Sequence, residues 1–192
     1  MYGIFHEARK SDFPINQYIQ IINSSRYFNT LWKPVDILIN ESNDAHGWAS
    51  EGLVNSYVYF TFLVFQLTIE GYSLSYPSQD DEILRNWELR CYYQDKNFQI
   101  DFHSNDQTLC PNTNPNDYCG YNDQKYFPLS KTYTCNALRL TQTGPNNSGR
   151  YYLNLLGFEV FGKMALPRCE TLAIKIGCMN FDLSLLSVFI LM

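Results

Sequence analysis

Residues 135–162 read CNALRLTQTGPNNSGRYYLNLLGFEVFG, and the reading of this stretch decides the fold. Leu138 and Leu140 alternate with Arg139 and Thr141, the two-residue period of a half-buried strand. The GPNNSG run gathers Gly144, Pro145, Asn146, Asn147 and Gly149, residues that favour a positive or a fixed φ and so mark a tight polar turn. The return segment is rich in aromatics and leucine and closes on Phe158-Glu159-Val160-Phe161-Gly162. Together these features predict an apolar hairpin. A hairpin of this length is not stable alone in water, so the rest of the chain must cover its other face.

Outward from this stretch the same alternation recurs. In SYVYFTF, Val58, Phe60 and Phe62 alternate with Tyr57, Tyr59 and Thr61, and Phe65, Leu67 and Ile69 continue the pattern after a bend expected near Leu63-Val64. Trp87, Leu89 and Cys91 alternate with Glu88 and Arg90, and Phe98, Ile100 and Phe102 with Gln99, Asp101 and His103. Trp48 and Trp87 fall where the alternation points inward, which predicts core packing. Tyr18 to Ser25 reads as a first strand entering a Ser-rich loop, and Gly71 to Arg85 as a strand end followed by an acidic loop. Ser104 to Asp123 is rich in Asn, Asp and Pro, a longer loop than a compact domain usually carries without a purpose. Helical periodicity is confined to a weak signal around Glu82 to Arg85. Short alternating strands with turn chemistry between them predict an all-β sandwich or jelly roll.

Composition agrees. Aromatics make up 16% and charged residues 17% of the 192 residues, a bias toward strands. The net charge of −5 excludes the basic face that a nucleic-acid surface needs. The first residues, MYGIFHEARKSD, contain no apolar run of signal-peptide length, which predicts a cytoplasmic protein and hence free thiols at Cys91, Cys110, Cys119, Cys135, Cys169 and Cys178. N-x-[ST] sequons start at Asn23, Asn40 and Asn146 and matter only in a secreted chain. The final LSLLSVFILM is about half of the ~20 apolar residues that span a bilayer, so membrane association is not expected. The expected division is an irregular N-terminal lead-in over 1–14, a β-sandwich over 15–163 and a C-terminal extension over 164–192.

The order of features resembles the discoidin, or coagulation factor 5/8 type C, family. The matches are a Ser-Ser loop at Asn23 to Arg26, Trp48 before SYVYFTF, the strand FQLTIEGYSLSY, Pro77 followed by Asn86 to Leu89, and ALRLTQTG returning through LLGFEVFG. The closing stretch TQTGPNNSGRYYLNLLGFEVFG looks like the variant found in large intracellular protist families. The resemblance covers about residues 15–163, scattered at the start and dense at the end. It implies a discoidin-like jelly-roll β-sandwich of antiparallel strands, galactose-binding-domain-like. The chain departs from secreted members in lacking a cysteine pair that ties the two ends of the domain together.

No motif carries catalysis. There is no GxSxG elbow, phosphate-binding Gly loop or HExxH, and no two acids stand out as a glycosidase pair, so an enzyme is not expected. The paired cysteines at 110/119 and 169/178 are too widely spaced for a zinc site, and neither metal nor cofactor is expected. His6, His46 and His103 read as solvated loop or strand-face residues. Arg139 and Glu159 read as a structural ion pair on neighbouring strands. Candidate ligand residues are Arg26, Phe28 and Trp32 in an irregular loop, with Tyr76 on a second wall. Aromatic faces stack on the apolar side of a sugar ring, while Arg and Asn bond its hydroxyls. Asp80, Asp81 and Glu82 argue against an anionic-lipid surface there. The expectation is a non-catalytic module that recognises carbohydrate or a protein surface through loops at one end of the sandwich. The alternative is an intracellular protein–protein interaction or scaffold domain without a glycan ligand.

Overall fold

The computed structural model describes residues 3–11, 14–24, 48–75, 83–109 and 124–165. In chain order the elements are α1 (Ile4–Lys10), α2 (Ile15–Tyr18), β1 (Ile19–Asn23), β2 (Trp48–Ala49), β3 (Tyr57–Phe62), β4 (Gln66–Ser75), β5 (Trp87–Tyr93), β6 (Lys96–His103), β7 (Gln124–Cys135), β8 (Ala137–Gln142), β9 (Asn154–Leu155) and β10 (Gly157–Ala165). Strands β1-β3-β8-β5-β6 form one sheet, β10-β4-β7 a second, and β2-β9 a short ribbon. All pairings are antiparallel, as the alternation predicted.

The apolar face of each sheet explains why they stack. Val58, Phe60, Leu138, Leu140, Trp87 and Leu89 are buried on the larger sheet, and Leu67, Ile69, Tyr72, Leu74, Phe158 and Val160 on the smaller. Phe60 and Phe158 stack across the layers with ring centroids 4.9 Å apart. Burial of this apolar surface, at ~25 cal/mol per Å², is the main force that closes the sandwich. Trp48 and Trp87 are both buried, as their place in the alternation predicted. At Gly162, φ is +143° and an added Cβ would run into the Thr68 carbonyl. Only glycine allows β10 to shift register there against β4.

Several expectations are corrected. Residues 135–162 do not form a hairpin. β8 lies between β3 and β5 in one sheet and β10 against β4 in the other, so the GPNNSG turn carries the chain from layer to layer. Two apolar faces cover each other better in opposite layers than side by side, and Gly149, at φ +79°, supplies the backbone reversal. The lead-in read as irregular contains a helix, α1, whose Phe5 and Ala8 are buried. The Phe5 ring sits 6.4 Å from that of Phe62 and 6.5 Å from that of Phe158. Two inward positions three residues apart are too few to show as a helical period. At the far end the sandwich runs to Ala165, past the expected limit at 163.

Cys91 and Cys135, expected as free thiols, form a disulfide. It joins β5 in one sheet to the end of β7 in the other, where the Cα atoms come within 5.4 Å. Cys110, Cys119, Cys169 and Cys178 lie outside the described residues.

β6 also departs from its sequence reading. Leu89 pairs with Asp101 and Arg90 with Gln99, leaving Ile100 as the extra residue of a bulge. A one-residue slip exchanges the faces of a strand. Asp101 and His103 therefore turn toward the interior, and Phe102 is exposed.

Replacing both Cys91 and Cys135 by alanine removes a cross-link spanning 44 residues. Loss of its constraint on the unfolded chain is expected to cost roughly 2–4 kcal/mol, read as a lower urea midpoint with the far-UV spectrum retained. An equal midpoint in wild type and variant would show that the bond does not form.

Candidate functional site

The two ends of the sandwich differ in their connections. At one end the strands turn within a few residues: 63–65 between β3 and β4, Gln94-Asp95 between β5 and β6, and Asn136 between β7 and β8. Gln94 and Asp95 both have positive φ, the geometry of a two-residue hairpin turn. At the other end lie Asn23, Tyr57, Ser75, Trp87, His103, Gln124, Gln142 and Gly157, aligned by strand register. Among the described elements, the long intervals between strands, at 24–47, 76–86, 104–123 and 143–153, all begin at this second end.

Of these connections the described parts form a rim, stitched by amide side chains. Asn86 Oδ1 accepts from Asn105 N at 2.8 Å, and Asn86 Nδ2 donates to the Pro145 carbonyl at 2.6 Å. Asn147 Oδ1 accepts from Ile83 N at 2.7 Å, and Asn147 N donates back to the Ile83 carbonyl at 3.1 Å. Arg85 bridges to Asp106, its carbonyl accepting from Asp106 N and its Nη1 donating to the Asp106 carbonyl. Asn146 is 4% exposed, and its Oδ1 accepts from Ser148 N, Ser148 Oγ and Arg150 N. Exposed rim residues include the amides and hydroxyls of Ser104, Asn105, Gln107, Thr108, Asn147 and Ser148, and the guanidinium of Arg150.

Beneath the rim lies a polar chain that starts in the core. Trp87 Nε1 donates to Tyr72 Oη at 2.8 Å, and Tyr72 Oη donates to Asp101 Oδ2 at 2.8 Å. Asp101 Oδ2 lies 2.9 Å from His103 Nε2, while His103 Nδ1 is bonded to Asp106 Oδ2. The imidazole stacks on Trp87, centroids 4.1 Å apart, and meets Phe127 edge-on. Burial opposes charge on Asp101, His103 and Asp106, but the hydrogen bonds and opposite charges outweigh it. The Asp101 and Asp106 carboxyls are held below their ordinary value and His103 above its own. Burial, aided by the charge of Asp101 and opposed by the indole hydrogen bond, pushes the Tyr72 phenol far up, so it remains a donor. The expectation of a solvated His103 is thereby corrected: its side chain is 17% exposed and enclosed by two carboxylates and two rings.

Arg139 and Glu159 do not meet on neighbouring strands. β8 and β10 belong to different sheets. The Arg139 guanidinium lies over the Tyr57 ring at 4.0 Å. Glu159 accepts from Phe5 N and His6 N at 2.8 Å each and from Val160 N at 2.9 Å, so it holds the first turn of α1 against β10. Burial raises the Glu159 carboxyl above its ordinary value against the pull of those three N–H groups and of Arg9.

Arg26, Phe28, Trp32 and Tyr76 lie outside the described residues. The segments that carry them follow Asn23 of β1 and Ser75 of β4, both at the rim end. Asn86, Asn105, Asp106 and His103 escape a sequence reading based on alternation. The available signals are local: Asp101, His103 and Asp106 in one short run, and Asn86 immediately before a strand. Among the described residues, no group of three or more His, Cys, Asp or Glu side chains is placed to hold a metal ion.

Known structures supply the comparison. The chain superimposes on a family 32 carbohydrate-binding module of Clostridium perfringens NanJ, solved with galactose, at TM-score 0.54 and 6% identity, covering 76% of this chain and 95% of that one. A third such module from a family 31 glycoside hydrolase of Clostridium perfringens matches at TM-score 0.59 and 9% identity, covering 80% and 97%. The fold is the galactose-binding-like β-sandwich. A fucolectin from striped bass (Morone saxatilis) serum matches at TM-score 0.58 and 13% identity, covering 77% of this chain and 48% of that one. No protein-family model matches the sequence, and neither does any curated protein.

Asn86→Ala leaves Asn105 N and the Pro145 carbonyl without their partner. The expected cost is roughly 1–3 kcal/mol, with faster amide exchange at Asn105 while β3 and β8 keep their protection. Unchanged exchange at Asn105 would show that Asn86 does not hold the rim together.

Proposed function

We propose that this chain is a non-catalytic carbohydrate-binding module whose ligand face is the rim end of the sandwich. The observation that carries this reading is that the long intervals between the described strands all begin at one end of a two-sheet core, the usual position of binding loops. Two further features support it. The exposed rim residues include amides and hydroxyls, which donate and accept as sugar hydroxyls require, beside the Arg150 guanidinium. The sandwich also shares its fold with modules and lectins described with galactose, with 4,5-unsaturated mannuronic acid, or as fucolectins.

In this reading Trp32, Phe28 and Tyr76 offer faces for the apolar side of a pyranose, and Arg26 bonds its hydroxyls. The negative net charge favours a neutral glycan over a polyanionic one.

The test is a glycan array with the purified chain, followed by calorimetry on the best binder. Trp32→Ala and Tyr76→Ala are each expected to weaken binding tenfold or more, about 1.4 kcal/mol, with the melting temperature unchanged. A blank array, or full affinity in both variants, would reject the reading or its loop assignment respectively.

A further inference from the structure

The bulge at Ile100 places an ionisable cluster under the rim, and a sugar-binding rim has no evident chemical need of it. Both ring nitrogens of His103 face carboxylate oxygens, Nε2 on Asp101 and Nδ1 on Asp106. Carboxylates only accept, so both contacts are hydrogen bonds only when both nitrogens carry protons. A neutral imidazole has a single N–H and must leave one carboxylate facing a lone pair. The other bonds of the two acids are committed: Asp101 accepts from Tyr72 Oη and Phe102 N, and Asp106 from Thr108 N.

We propose that His103 is a positioning residue for the rim, its imidazolium fastening the 104–109 segment to the sandwich so that the binding end is tight in mildly acidic solution and loosens as the ring deprotonates. This rests on the carbohydrate-binding reading for its consequence on affinity, but not for the latch itself. Asp106 is the joint. Its side chain takes Nδ1 of His103, its amide donates to the Arg85 carbonyl at 2.9 Å, and its carbonyl accepts from Arg85 Nη1 at 3.1 Å. Asn105, next to it, donates to Asn86, which in turn holds Pro145. Loss of the His103–Asp106 bond removes the anchor of this segment on the sandwich. Among the described residues it is then held only by the hydrogen bonds to Arg85 and Asn86, which are themselves in the rim.

Among the described residues, the charged and titratable groups that face the imidazole are few. Asp101 comes from its own strand and Asp106 from the following segment, and the Tyr72 hydroxyl reaches it through Asp101. β5 and β7 present Trp87 and Phe127, which do not titrate. The sign follows from the directions of the shifts. His103 is raised from 6.5, so its contribution is complete below that pH and is lost as pH rises through the higher folded value. Asp101 and Asp106 are lowered from 3.8, so theirs is complete above that pH and is lost as pH falls through the lower folded values. The latch is tightest between 3.8 and 6.5.

Amide exchange and imidazole NMR on the ligand-free chain test the latch between pH 6 and pH 9. Protection factors at Asn105 and Asp106 should fall by about tenfold as the ring titrates, with β3 and β8 unaffected. In His103→Gln they should be low and independent of pH. In Asp106→Asn the imidazole midpoint should move down toward 6.5, a readout that survives a change in overall stability. Flat protection in the wild type, or a midpoint unmoved in Asp106→Asn, overturns the proposal. Array-bound galactosides at the same pH values form the second arm: affinity falling with protection supports the positioning role, and constant affinity with falling protection overturns it. Absence of any glycan binding at either pH rejects the carbohydrate reading, and the latch then stands or falls on exchange alone.

Discussion

The Tyr72 hydroxyl is the point on which core and rim depend together. A phenol with no exposed surface must find partners or cost several kcal/mol. It has two: it accepts from the Trp87 indole of the opposite sheet and donates to Asp101 on the edge strand β6. The first bond sets the spacing of the two sheets beside the rim. The second fixes an acid that would otherwise have no reason to point inward. From Asp101 the chain of bonds continues through His103 and Asp106 into the connection that follows β6. A polar path thus runs from the driest part of the molecule to the rim end of the sandwich, with each member satisfied by the next.

Much of the fold was legible because burial imposes a two-residue period on any strand with one dry face. Val58, Phe60 and Phe62, Leu138 and Leu140, and Trp87 and Leu89 all stand where alternation placed them. What alternation does not carry is partnership. β8 and β10 read as a hairpin since both are apolar and a turn separates them, yet their pairing energy comes from β3, β5 and β4. Nor does it carry phase across a bulge. Ile100 is one residue too many for β6, and that single residue exchanges Phe102 for His103 on the interior face. The Cys91–Cys135 bond was hidden by the same limit, because residues far apart in sequence reveal a short Cα separation only once the sheets are stacked.

The two ends of the sandwich are secured by different means. Near the tight turns a covalent bond ties the sheets, and it is indifferent to pH and salt. At the rim the ties are amide and carboxylate hydrogen bonds, which respond to solvent and, at the carboxylates, to pH. One scaffold therefore combines a fixed base with an adjustable face. The candidate site is less legible than the core for a physical reason: hydrogen-bonding side chains on irregular backbone follow no period, so Asn86 and Asn147 resemble any other loop asparagine until the structure brings the segments together.

The grip of Glu159 on α1 has a consequence for when that helix can form. The carboxylate that holds Phe5 N is 154 residues further along the chain. The buried ring of Phe5 packs beside Phe62 of β3 and Phe158 of β10, and β10 is the last of the described strands. A seven-residue helix is too short to persist alone in water. α1 is therefore held only once β10, at the opposite end of the described fold, has docked against β4.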